Sequence, residues 1–206
     1  MHSGKLILLM GPSGSGKGTL LSYAREHFPE IIFPTSWTTR TPRSGEEEGT
    51  AGSGPGWSGP GRSGKKYHFA TEEEFAAQVE RGDFLEWARY GGHSYGTPKQ
   101  EINEALAIGK PVLQELEMQG VVQIMERLPR EQIILVFVDA GSWEELKRRI
   151  LSRGTMSEED IEHRRVRYEE EKEFAKQADF VISNPAGKIV EAEAEFANII
   201  STATHA

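Results

Sequence analysis

An α/β fold, with a mainly parallel central sheet and helices on both of its faces, is predicted by two features of the chain. Short, unbroken apolar runs, clearest at residues 6–10 and 133–138, are too brief for helices and too continuous for half-exposed strands. They read as buried strands. Between such runs lie segments with apolar residues at helical spacing, many of them opened by Ser, Thr or Pro or closed by Gly. Strands that alternate with helices pair in parallel through right-handed crossovers, and ligands gather outside the strands' carboxyl ends. Gly11, Glu115, Glu117 and Asn184 are expected at such ends.

A length of 206 residues suits one domain with subdomains and is enough to bury a core. The net charge of −8 argues against a general nucleic-acid surface, so phosphate ligands require local clusters of arginine and lysine. With no cysteine, no disulfide, thiolate metal site or thiol nucleophile is available. Residues 6–10 are too few to cross a bilayer, and no basic segment precedes a long apolar one at the N-terminus. The expectation is a cytoplasmic protein without a membrane partner, either a monomer or a homo-oligomer.

The strand at 6–10 runs into Gly11, Pro12, Ser13, Gly14, Ser15, Gly16, Lys17, Gly18 and Thr19, followed by Leu20, Leu21, Ala24 and Phe28 at helical spacing. Strand, Gly-rich loop and helix form the context that a G-x-x-x-x-G-K phosphate loop needs. Its glycines let successive backbone N–H groups curl around phosphate oxygens, the helix N-terminus adds positive potential, and Lys17 reaches the outer phosphates. Gly18 stands where a metal-holding Ser or Thr commonly follows the lysine, with Thr19 one residue on. That Gly-Lys-Gly-Thr variant resembles adenylate kinases and leaves open whether the protein holds Mg²⁺ directly.

Further along, residues 31–33 form a brief strand candidate, and 36–43 a polar loop carrying Arg40 and Arg43. Arginine offers a planar fork of donors that fits phosphate bidentately. Residues 50–64 are Gly/Ser/Pro-rich and nearly devoid of apolar content, a composition that predicts a flexible excursion. After Tyr67, Thr71 and Glu74 form a capping box for a helix stopped by Gly82. Residues 84–90 read as a strand with Glu86 between apolar neighbours, 91–96 as a turn, and Thr97-Pro98 as the cap and first position of the next helix. A strand at 111–117 precedes a helix carrying Val121, Ile124, Met125 and Leu128. After the strand at 133–138, Ser142 caps a helix with Glu145 in the box position. Ser157 opens a long charged helix to about residue 177, and a strand at 179–184 and a helix at about 188–201 finish the chain.

Several ordered, separated motifs together resemble guanylate kinases over nearly the whole chain. They are the phosphate loop, Ser-x-Thr-Thr-Arg-x-x-Arg from Ser36 to Arg43, Tyr-His-Phe at Tyr67, and Phe-Leu-Glu-Trp ending at Trp87. Tyr95-Gly-Thr97, Gln119-Gly120, Arg153-Gly-Thr155 and Asp-x-Val-Ile-x-Asn ending at Asn184 complete the set. The resemblance implies a P-loop kinase fold with a core (1–35, 99–148 and 168–206), a GMP-binding subdomain (36–98) and a helical lid (149–167). It implies transfer of the γ-phosphoryl group of ATP to GMP, with Mg²⁺ as cofactor.

Carried over residue by residue, the resemblance gives the loop from Gly11 to Thr19 and Asn184 to ATP. It gives Arg40, Arg43, Tyr67 and Tyr95 to the GMP phosphate, and Ser36, Glu86, Thr97 and Glu117 to guanine. Lys17, Arg40, Arg149, Arg153 and Arg164 would neutralise the transferring group. Glu115 would lie beside GMP and, with Thr19, near the metal, through water. The family usually has Asp where this chain has Glu115 and Glu117, so the charge is kept but moved by a methylene. Two other readings stay open: a non-catalytic interaction domain of the same fold, which typically degrades the loop that is intact here, and a related kinase of phosphorylated sugars, which has no need of Glu86.

Overall fold

The structure, a computed structural model, describes residues 4–42, 67–152 and 154–204. Arg43, Arg153 and the Gly-rich segment 50–64 lie outside the described residues.

Four strands build the central sheet: β1 (Leu6–Met10), β6 (Val112–Glu115), β7 (Ile133–Asp139) and β8 (Phe180–Ser183), in the order β6-β1-β7-β8. All neighbouring pairs are parallel, as the alternation of elements requires. Each strand side chain faces opposite its neighbour, so β1 divides its five buried residues between two cores. Ile7 and Leu9 pack with Val136 and Val138, under α1 (Lys17–His27) and α7 (Ile189–Thr204). Leu6, Leu8 and Met10 pack on the other face with Leu135 and Phe137. That face is covered by α3 (Lys99–Ala107) through Ile102 and Leu106, and by α4 (Met118–Arg127) through Val121 and Ile124.

A second four-stranded sheet holds β2 (Ser36–Thr38), β3 (Tyr67–Phe69), β4 (Phe84–Tyr90) and β5 (His93–Pro98), in the order β3-β2-β5-β4. The β2–β3 pair is parallel; the β2–β5 and β4–β5 pairs are antiparallel. Its outer helix, α2 (Glu72–Arg81), has both halves of the expected capping box and ends at Gly82 with φ +70°. Phe75 of α2 stacks on Phe84 at 4.7 Å. The remaining helices, α5 (Trp143–Leu151) and α6 (Glu158–Phe174), follow β7, each with its N-cap serine bonded three residues ahead.

Several sequence expectations need correction. Only Gly91 and Gly92 form the turn after β4; residues 93–98 are strand, because their backbone pairs with both β2 and β4. Thr97 is therefore a strand residue rather than a helix cap, and Pro98 occupies the N-cap of α3 without a side-chain bond. The loop expected at 36–43 begins as strand β2, and residues 31–33 contribute a single bridge, Ile32 to Val112.

Candidate active site

The phosphate loop leaves β1 with Gly11, Gly14 and Gly16 all at positive φ. Two of these positions exclude any side chain. A Cβ on Gly11 would lie 2.5 Å from the carbonyl oxygen of Val138, and one on Gly16 would lie 2.2 Å from Asn184 Nδ2. Asn184, immediately after β8, is buried and donates from Nδ2 to the Ser15 carbonyl at 2.7 Å. Lys17, the first residue of α1, is buried and donates to the carbonyls of Gly11 (2.6 Å) and Pro12 (3.1 Å). Glu115 closes the same end of the sheet, its Oε1 4.0 Å from Lys17 Nζ. Arg149 of α5 completes the frame by donating to the Asn184 carbonyl at 2.9 Å while Glu145 holds its Nε at 2.8 Å.

Glu86 is 4 % exposed, which a carboxylate tolerates only with partners. The burial originates in a β-bulge. Phe84 pairs with Pro98 and Glu86 with Thr97, so one strand spends an extra residue at Leu85 and alternation fails. Phe84, Leu85 and Glu86 are buried in succession. Thr97 Oγ1 donates to Glu86 Oε1. Gln114 Nε2 donates to Ser36 Oγ at 2.9 Å and to Thr97 Oγ1 at 3.3 Å. Helix α4 backs this cluster: a Cβ on Gly120 would stand 2.6 Å from Glu86 Oε2. Gln123 grips the main chain of Trp87 through its amide, and Arg127 donates to the Leu85 carbonyl.

Beyond the end of β2, Arg40 is buried with its guanidinium 5.5 Å from the Tyr67 ring centre and 5.8 Å from that of Phe69, both on the sheet face that carries Ser36 and Thr38. Tyr67 and Tyr95 meet edge to face at 6.2 Å. These aromatic walls limit the solvation of the guanidinium and aim it. Helix α6 carries Arg164, Arg167 and Glu171 along one stripe. All three line a cleft with Pro12, Ser13 and Glu117. Arg167 pairs with Glu117 at 2.8 Å and lies 4.9 Å from the Tyr90 ring centre, tying α6 to β4. Burial pushes the Glu171 carboxyl up to about 7; Glu117 adds to the rise, and Lys17 and Arg167 oppose it.

The geometry brings most of the expected residues that it describes into three groups, one of them Arg40 with Tyr67 and Tyr95, while Arg164 lines the cleft with Arg167. Lys17, Glu115, Arg149 and Asn184 surround the loop, and Ser36, Glu86 and Thr97 form one polar cluster. Glu117 faces Arg167 rather than that cluster, and Thr19 is exposed on the first turn of α1. Gln114, Gln123, Arg127, Arg167 and Glu171 escaped the sequence reading. A glutamine inside an apolar strand was one available signal; the helical spacing of Arg164, Arg167 and Glu171 was another.

The guanylate kinase family model matches residues 59–202. A guanylate kinase of Halalkalibacterium halodurans is 38% identical over 204 residues, covering 99% of this chain and 90% of that one. One from Synechococcus sp. (strain CC9311) is 42% identical over 177 residues, covering 86% and 84%. Among solved structures, guanylate kinase from Anaplasma phagocytophilum superposes with a TM-score of 0.70 at 27% identity, covering 98% of this chain and 87% of that one. With a family model spanning well over half its length and relatives this similar along nearly all of it, the chain belongs to the guanylate kinase family.

Proposed function

We propose that the cleft passes the γ-phosphoryl group of ATP to GMP, giving ADP and GDP, and that Glu86 selects the acceptor base. The buried Glu86 carboxylate, fixed by Thr97 and backed by Gly120, is the observation that carries this reading. Guanine presents its ring N1–H and exocyclic N2–H₂ on one edge, and a carboxylate accepts both. Adenine has no such pair, so a buried Glu86 would stay unpaired. Sites of this kind discriminate by roughly 10⁴-fold.

In this reading Arg40, Arg43, Tyr67 and Tyr95 hold the GMP phosphate, and Ser36 and Thr97 complete the base pocket with Glu117 at its rim. The second sheet (36–98) is the GMP-binding subdomain and residues 149–167 are the lid. The loop from Gly11 to Thr19 wraps the ATP phosphates, with Asn184 bordering it. Phosphoryl transfer needs no covalent nucleophile; two phosphates must be aligned and their charge neutralised. Lys17, the loop amides, Arg149, Arg153 and Arg164 supply that neutralisation. Arginines on a lid would complete the site only on closure, which excludes water and limits hydrolysis.

Among the described residues no group of three or more His, Asp or Glu side chains forms a metal cage. Magnesium is commonly held by one or two carboxylates together with substrate phosphates and water, so Thr19 and Glu115 beside the loop fit it. When bound with ATP, Mg²⁺ would supply further neutralisation of phosphate charge. A coupled ADP-release assay with GMP, AMP, UMP and CMP tests the proposal. Turnover with GMP at least 10³ times that with AMP is expected; equal turnover of all four, or none, would overturn it.

A further inference from the structure

We infer that Gln114 sets the direction of the hydrogen bonds around Glu86, making it a positioning residue that determines specificity for the acceptor base. This rests on the reading that Glu86 meets the guanine edge. Gln114 lies on β6 opposite Leu8 of β1, and the preceding β6 residues, Val112 and Leu113, are buried and apolar. With 3 % of its surface exposed, an amide there is costly unless bonded, and packing alone would favour an aliphatic residue. Its Nε2 reaches across to the second sheet and donates to two hydroxyls, Ser36 Oγ at 2.9 Å and Thr97 Oγ1 at 3.3 Å.

A hydroxyl has one proton and two lone pairs. Because Thr97 Oγ1 accepts from Gln114, its own proton is left for Glu86 Oε1. If the amide were turned over, the Gln114 carbonyl oxygen would claim that proton, and the Thr97 and Glu86 oxygens would face each other with no hydrogen between them. The network therefore admits one amide orientation, assigned here from its partners. Two consequences reach the ligand. Thr97 pins the carboxylate through Oε1, so Glu86 meets incoming donors in one rotation. Ser36, receiving from Gln114, keeps its proton for an acceptor. A 6-oxo-2-amino purine supplies donors to Glu86 and an acceptor to Ser36; a 6-amino purine opposes a donor to a donor. Gln114 thus extends discrimination from the second sheet into the central one without touching the base.

Steady-state kinetics of Gln114→Leu, Gln114→Glu and Glu86→Gln, each with GMP, AMP and ATP varied, test this. Gln114→Leu is expected to raise KM for GMP about tenfold and to narrow the GMP-over-AMP preference, with KM for ATP within about twofold of wild type. Gln114→Glu keeps the shape, presents only acceptors to the hydroxyls and adds a charge near Glu86; a loss of about 10²-fold in kcat/KM for GMP is expected. In the double variant Gln114→Leu/Thr97→Val, losses smaller than the product of the single ones mark a shared network. If Gln114→Leu leaves KM for GMP unchanged, or raises it equally for GMP and ATP, Gln114 merely packs and the inference is overturned. If Glu86→Gln itself leaves GMP use unchanged, the reading of Glu86 fails instead. Gln114→Leu, apolar in an apolar layer, keeps the test readable should Gln114→Glu misfold.

Discussion

Replacing Glu171 by Gln should stabilise the protein above neutral pH and do little near pH 4.5. Glu171 lies on α6, buried, and its Oε2 has no hydrogen-bond partner among the described residues. The charged groups that bear on it are Glu117 at the start of α4, Lys17 of α1, and Arg167 and Glu170 of its own helix. Burial, the largest effect, raises its pKa from 4.5 to about 7. A carboxyl with a raised pKa binds its proton more tightly when folded. Its stabilising contribution is therefore complete below about pH 4.5 and is lost as the pH climbs through about 7. At 1.36 kcal/mol per pKa unit the full swing is about 3 kcal/mol, an upper figure because water reaches the cleft as the chain breathes. Glutamine has the same shape and no charge to desolvate. Urea unfolding of both proteins from pH 4.5 to 8.5 should give curves that nearly coincide at the acid end. They should separate to about 1–3 kcal/mol in favour of Glu171→Gln at the alkaline end. A pH-independent difference, or a wild type that is the more stable at pH 8, would refute the reasoning.

Lys17→Met should lower kcat with GMP by 10²-fold or more, since one preorganised donor to developing phosphate charge is worth about that much. Circular dichroism should show the fold retained, because the lysine's partners Gly11 and Pro12 are carbonyls that water can satisfy; retention of a tenth of wild-type turnover would contradict the assignment. Gly120→Ala places a methyl group 2.6 Å from Glu86 Oε2, so the carboxylate or α4 must move. The expected result is KM for GMP raised about tenfold, with KM for ATP unchanged and a loss of about 1–3 kcal/mol in stability. Equal effects on both substrates would show that α4 supports the fold generally instead of backing the base pocket.

Features whose causes are local in sequence were legible without coordinates. The loop at Gly11 to Lys17 is flanked by its strand and helix within a few residues, and Thr71 and Glu74 write their own capping box. Strand β7 is apolar enough to be nothing else. What failed depends on pairing between distant segments. Thr-Pro reads equally as a helix start or a strand end, and only the backbone pairing of β5 with β2 and β4 makes it the latter. An alternating strand would turn Glu86 to solvent between its apolar neighbours; the bulge at Leu85 turns it inward, and no residue type announces a bulge. Gln123 and Arg127 read as the polar face of α4, yet they clamp β4 across 36 and 42 residues of chain. Arg167 looks like one more charge on a charged helix until Glu117 and Tyr90 are brought beneath it.

The most direct test of base selection by a buried carboxylate is the ratio of kcat/KM for GMP to that for AMP, measured in wild type and in Glu86→Gln. The exchange swaps an acceptor oxygen for a donor facing donors, and the expected outcome is a fall in GMP efficiency of 10²-fold or more, with KM for ATP held and the preference for GMP largely erased. A Glu86→Gln protein that phosphorylates GMP as efficiently as wild type, and still refuses AMP, would contradict it.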